Sequence, residues 1–165
     1  MYLMYIMYIM YIMYANVGFP AKNKVKMSIV ADYGSFTDTR THLKDVFDAT
    51  SRGRIVTVGR DGELSAVVPV DRLRSYFFGA VSPRVTIASE EGRTVALMEG
   101  RPFVSEGATV DDALSDLVLS LREYAEDWEE RLQRVPNHES NWALVQLVKI
   151  STDEQLVDWF ESGGE

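Results

Sequence analysis

The chain has 165 residues, 46% hydrophobic and 25% charged, with a net charge of −8, which are the proportions of a globular protein sized for one domain or two small ones. It has no cysteine, so disulfides and thiolate metal sites are excluded, and its two histidines, His42 and His138, show no zinc-ligand or catalytic spacing. No phosphate loop, dinucleotide fingerprint, acid–base pair or activated nucleophile stands out, which argues against an enzyme and implies no cofactor.

The chain opens on MYLMYIMYIMYIMY, with Tyr after each of Met1, Met4, Met7, Met10 and Met13 and no charged side chain before Lys22. The run is shorter than the ~20 apolar residues of a bilayer span and lacks the basic start of a secretory signal. Its period of three fits neither a helix nor a strand. Residues 1–26 therefore read as a low-complexity leader outside the native fold, with no membrane role expected.

A β-prone run, Ser28–Ala31, comes next. Ser35 or Thr37 is placed to cap a helix whose apolar stripe is Phe36, Leu43, Val46, Phe47 and Thr50, with Gly53 as its stop. Two β-rich runs, Ile55–Val58 and Leu64–Val68, flank Asp61-Gly62, a strong hairpin signal because both residues tolerate positive φ. VDRLRSYFFGA predicts a short helix with Leu73, Tyr76 and Phe77 on one side. Ser82-Pro83 marks a boundary, followed by strands Val85–Ala88 and Thr94–Met98 and a short third strand at Phe103-Val104. Thr109 caps a long helix striped by Val110, Ala113, Leu114, Leu117, Leu121, Tyr124, Ala125 and Trp128, which Pro136 ends. Two shorter helices, about 140–149 and 152–162, close the chain, the second capped by Thr152.

The predicted fold is α+β: a β-α-β-β-α unit over 27–82, then a βββα module and short C-terminal helices over 83–165. Charge follows the same division. Residues 27–82 carry seven basic and seven acidic groups, whereas residues 83–165 carry seven basic and eighteen acidic groups, a net of −11. A neutral, arginine-bearing half beside an acidic half suggests two different partners; the alternative is a solvated acidic surface with none. A first unit of roughly 55 residues buries little surface alone, and its strands leave edges that need covering. A homodimer sharing one core would answer both.

The stretch FTDTRTHLKDVFDATSRGRIVTVGRDGELSAVVPVDRLR, within a match over about 27–78, resembles the Phd/YefM (prevent-host-death) antitoxins through Thr37, Asp38, Thr39, Arg40, Leu43, Gly53, Arg60, Gly62 and Ala66-Val67-Val68. RVTIASEEGRTVALMEGRPFVSEGATVDDALSDLVLSLREYAED, over about 84–128, resembles HicB-type antitoxin domains, with Gly107, Thr109, Ala113 and Leu114 at the helix start; the usual Pro-Gly-Cys turn is replaced by MEGRPFVSEG. These resemblances imply a cytoplasmic type II antitoxin that dimerises through its N-terminal unit. It would bind palindromic operator DNA, repress its own operon and block a toxin, often a RelE-class ribonuclease, through its C-terminal part. An arginine-bearing surface suits phosphate, and a −11 half suits a basic ribonuclease. The same implication extends to the leader. Each Met-Tyr-Ile, with Tyr as TAC, encodes TGTACA, a palindrome of the sort a two-fold dimer reads, so the leader is expected to be translated operator-like DNA with a natural start at Met27. Functionless repeat DNA is the alternative.

Arg40 and Arg60 lead the candidates for DNA contact, with His42, Lys44, Arg52 and Arg54 beside them; their other reading is solvated surface charge. Trp142, Leu144, Leu147, Leu156, Trp159 and Phe160 are large apolar groups for short helices, either a toxin-gripping amphipathic segment or ordinary core. Trp159 and Phe160, nearest the end, are those expected to be exposed. A protein-interaction domain without DNA binding is the competing function, since a net charge of −8 does not help a chain meet phosphate. A small basic open reading frame next to the gene would favour the antitoxin.

Overall fold

The computed structural model describes residues 31–163, and those from Asp32 onward belong to one compact unit. The leader and residues 28–30 of the expected first strand lie outside the described residues; Ala31 is irregular. Beyond it stands one parallel bridge rather than a strand, Tyr33 to Val58, closed by Tyr33 N donating to Thr57 O at 3.1 Å and Gly59 N to Tyr33 O at 2.8 Å.

The expected first helix is two, α1 (Phe36–Thr41) and α2 (Leu43–Ser51), parted at His42 with φ −107° and ψ 23°. Ser35, not Thr37, is the cap, accepting from Asp38 N at 3.2 Å. The break has a local cause. Thr39 and Thr41 turn their hydroxyls back onto the carbonyls of Ser35 and Thr37 at 2.9 and 3.0 Å, a habit that bends helices. Gly53 stops α2 at φ 83°, as its position predicts. β1 (Val56–Arg60) and β2 (Glu63–Val67) pair antiparallel from Val56↔Val67 to Arg60↔Glu63. Asp61 (φ 50°) and Gly62 (φ 84°) form the tight turn between them, whose twist matches that of the strands.

Among the described residues, the core of this part is Val46, Ala49 and Val56, with Tyr33 and Val67 packed against it. Phe36, Leu43 and Phe47, expected in the buried stripe, are exposed, because the break at His42 leaves only one face of the short α2 in contact with the hairpin. α3 (Val70–Ala80) leads out of it. Phe77 is buried, but Tyr76, expected beside it, is 67% exposed, since adjacent helical residues point in different directions.

The second sheet runs β3 (Val85–Glu90), β4 (Arg93–Met98), β5 (Phe103–Gly107), all antiparallel. The long helix α4 (Val110–Asp127) covers the face bearing Ala96, Met98, Phe103 and Ser105. Thr109 and Asp112 form a full capping box. Gly107 has a steric reason to be glycine: a Cβ there would stand 2.3 Å from Ala113 N, so only a bare Cα lets the strand turn this closely into the helix. Ser105 Oγ donates to Ala113 O at 2.7 Å across the same corner.

The helical stripe holds, except that Val110 is exposed at the first turn. α4 does not run to Pro136. It passes into a π-turn, Trp128–Leu132, and irregular turns come after it, because Trp128 swings inward and its Nε1 donates to His138 O at 2.8 Å. α5 (Trp142–Ile150) and α6 (Asp153–Ser162) complete the fold. Their Leu144, Leu147, Leu156, Trp159 and Phe160 join Phe77, Val81 and the α4 stripe in one main core. The expectation that Trp159 and Phe160 are exposed is therefore corrected: Trp159 is fully buried, because Ser151 breaks the chain between α5 and α6 and folds both onto α3 and α4. The architecture is α+β, with two small antiparallel sheets and several helices. No helix among the described residues is long and apolar enough to cross a membrane.

Candidate nucleic-acid and partner surfaces

The six basic candidates cluster on α1, α2 and the ends of the first hairpin, but their surroundings differ. Arg40, in the last turn of α1, and Arg52, just past α2, are exposed and make no ion pair among the described residues. Lys44 donates to Asp48 at 2.7 Å, and that carboxylate holds its ammonium above the ordinary lysine range while Asp48 itself is held low. Arg60 Nε donates to Asp61 at 3.2 Å, and its guanidinium lies 5.8 Å from the centre of the Phe36 ring. Arg54 meets Asp32 at 3.7 Å. His42 Nδ1 sits 3.0 Å from Asp38 O and 3.1 Å from its carboxylate, with the ring stacked on Tyr33. Exposed pairs of this kind are screened by water and contribute little to stability, so they exchange readily for phosphate. Arg40 and Arg52 have no direct ion pair to break among the described residues, although Arg52, after Lys44, helps to hold the Asp48 carboxyl low.

Asp32 ties this surface together, and sequence reasoning missed it. Its carboxylate accepts from Thr57 N at 2.7 Å and from Thr57 Oγ1 at 2.8 Å, while its own amide donates to Thr57 Oγ1 at 3.0 Å. These bonds, with Arg54 alongside, hold its pKa below the ordinary aspartate value. An Asp–Thr pairing at such a separation leaves no signal in a linear reading.

Among the described residues of this part and of α3, several large apolar side chains are exposed: Phe36, Leu43, Phe47, Ile55, Leu64, Val70 and Tyr76. Phe47, Val70 and Pro69 line one shallow groove of about 710 Å³ with Arg52 and Arg72. So much exposed apolar side chain over a three-residue core is the profile of an interaction face.

Of the six apolar candidates in the acidic half, Leu144, Leu147, Leu156, Trp159 and Phe160 are core. Trp142 alone is on the surface, 53% exposed, with its ring edge-on to Phe77 at 5.6 Å. The outer face of α4 offers another exposed apolar group, Leu119, among Asp112, Asp116, Glu123 and Glu126 at helical spacing. The helices themselves are locked by Arg122, which donates to Asp153 at 2.7 and 3.1 Å, to Ser151 O at 2.7 Å and to Val148 O, tying α4 to the α5–α6 corner.

No protein-family model matches the chain, and no curated protein does. Among solved structures, it is similar to a chain from Syntrophomonas wolfei subsp. wolfei described as the antitoxin part of a proposed toxin/antitoxin system. That likeness has a TM-score of 0.65 at 16% identity and covers 77% of this chain and 94% of the other. At this identity it establishes a shared fold.

Proposed function

We propose that this chain is the antitoxin of a type II toxin–antitoxin system. The observation that carries the reading is the likeness of fold to an antitoxin chain along 94% of that chain's length. It agrees with the two resemblances in the sequence and with the division of charge between the halves. In this reading residues 27–82 dimerise and bind palindromic operator DNA, repressing the operon, and residues 83–165 bind the toxin, a basic ribonuclease of the RelE class. Arg40 and Arg52 make the first phosphate contacts, with Arg60, Arg54, Lys44 and His42 recruited from their local pairs. The exposed patch around Phe47 and Val70 supplies the homodimer contact. Trp142 and the acidic face of α4 around Leu119 meet the toxin, where one aromatic anchor and a complementary field suffice for recognition.

The test is co-expression with the product of the adjacent gene, read as growth rescue and co-purification, followed by gel-shift titration on the promoter DNA. Rescue with a promoter shift supports the whole reading. Absence of rescue removes the antitoxin role. Rescue without a shift leaves a protein-interaction domain that does not bind DNA, a second reading favoured by the carboxylates that already engage Lys44, Arg54 and Arg60.

A further inference from the structure

One cavity is lined by none of the basic candidates, the exposed apolar residues or the acidic face of α4 named above, though it opens beside Trp142 at the start of α5. It holds about 380 Å³ between the end of α3, the β4–β5 turn and the start of α5, and its polar lining is Ser82, Arg84, Glu99, Arg101 and Ser140. Two of these are arginines, and neither guanidinium has a hydrogen bond or ion pair among the described residues. Glu99, the one carboxylate on the wall, is engaged elsewhere, accepting from Thr86 Oγ1 at 2.9 Å. With two guanidinium groups against that one carboxylate, the lining carries a net positive charge inside a half of the chain whose net charge is −11.

Arg101 is the more informative of the pair. It is half-buried, and burial pulls its pKa down, with the neighbouring Tyr124 phenol acting weakly the other way. A guanidinium stripped of part of its water and given no anion in return is costly, and such groups are normally paired. Arg84 is held at φ 45°, a left-handed conformation that a long side chain rarely adopts, and its carbonyl accepts from Glu99 N at 3.0 Å. That bond fixes the loop carrying Arg84 beside the turn carrying Arg101. The first turn of α5, which completes the wall through Ala143 and Leu144, bears no acidic residue.

We propose that this cavity binds a small phosphate-bearing anion, a phosphomonoester or inorganic phosphate, between the guanidinium groups of Arg101 and Arg84, with Ser82 and Ser140 as hydroxyl donors. Forked N–H groups paired with phosphate oxygens give charge-assisted bonds of defined geometry. The surrounding acidic field discourages non-specific anions, so occupancy depends on these particular contacts.

The experiment is isothermal titration of the full chain with sodium phosphate at constant ionic strength, with acetate as the carboxylate arm. Saturable one-site binding is expected for phosphate and a much weaker response for acetate. Arg101→Gln and Arg84→Gln should each weaken phosphate roughly tenfold or more, the loss of a hydrogen bond to a charged group. Arg134→Gln, on an exposed turn, should leave it unchanged. Should Arg101→Gln fail to fold, Arg84→Gln and phosphate-induced shifts of the Ser82 and Ser140 amides in the unaltered chain carry the test. No saturable phosphate binding in the millimolar range, acetate bound as tightly as phosphate, or full affinity retained by Arg84→Gln with amide shifts elsewhere would each overturn the proposal.

Discussion

The indole Nε1 of Trp159 donates to the carbonyl of Val81 at 2.9 Å, joining the last helix to the end of α3 across 78 residues of chain. Both groups are buried. Trp159→Phe keeps most of the apolar bulk but strands the carbonyl, which should cost ~1–3 kcal/mol. Trp159→Ala adds a cavity and should cost ~3–5 kcal/mol. Urea denaturation of the two variants measures both, and a neutral result for Trp159→Phe would mean the hydrogen bond contributes nothing.

Trp142→Ala should behave differently. The residue is half in solvent, and its edge-on contact with Phe77 is worth ~0.5–1.5 kcal/mol beyond area. Stability should therefore fall by at least that amount, the lost area adding to it, while dissociation from the proposed toxin should speed up measurably in surface-binding kinetics. An unchanged dissociation rate would remove Trp142 from the interface.

Arg40→Ala and Arg52→Ala should weaken promoter binding more than Lys44→Ala does, because of the three only the lysine is held in a direct hydrogen-bonded ion pair. If the arginines touch phosphate alone, each should lower the slope of affinity against salt by about one without altering sequence preference. If either reads a base, the loss should be ~1–3 kcal/mol and confined to one position of the site. Gel shifts at two salt concentrations separate these outcomes.

Asp32 gives a pH signature. Its folded pKa lies below its unfolded value, so its contribution to stability is fully present above the unfolded aspartate pKa, about 3.9. The contribution is lost as pH falls through the depressed folded value. Asp32→Asn should thus melt below the unaltered chain near neutral pH, and the gap should close in strong acid. A gap that persists there would mean the carboxylate charge is not what holds Thr57.

Phe47→Ser tests the apolar patch. The side chain is 59% exposed, so the monomer should lose little stability, within ~0.5 kcal/mol. Dimer dissociation should rise sharply in sedimentation equilibrium. Equal dimer affinity in the variant would place the interface elsewhere.

What the sequence made legible depended on whether the signal was local. Asp61-Gly62, the Thr109 and Thr152 caps, the Gly53 stop and the periodic stripe of α4 all write their geometry within a few residues, and the structure keeps them. The burial of Trp159 and Phe160 could not be read that way. An amphipathic helix presents the same pattern whether its apolar side meets its own core or a partner, and only the turn at Ser151 decides. Arg122 was hidden for a similar reason: its partners lie up to 31 residues away, on the α5–α6 corner. The break at His42 came from threonine hydroxyls competing for backbone carbonyls, which spacing alone does not reveal. The basic candidates could be named from the sequence, but which of them already sit in an ion pair became visible only in three dimensions.

Among the described residues, the two cores hold three buried side chains against nineteen. Local opening tracks the thinner packing, so the hairpin and its two short helices should exchange their amide protons, and meet a protease, well before the four-helix, three-strand body does. Dimer contacts and DNA would each shield that part while they last. On the function proposed above, the chain would then carry a built-in order of loss: as its concentration fell and dimers parted, the arginine-bearing end would meet cleavage first, and the body that holds Trp142 and the α4 face would outlive it.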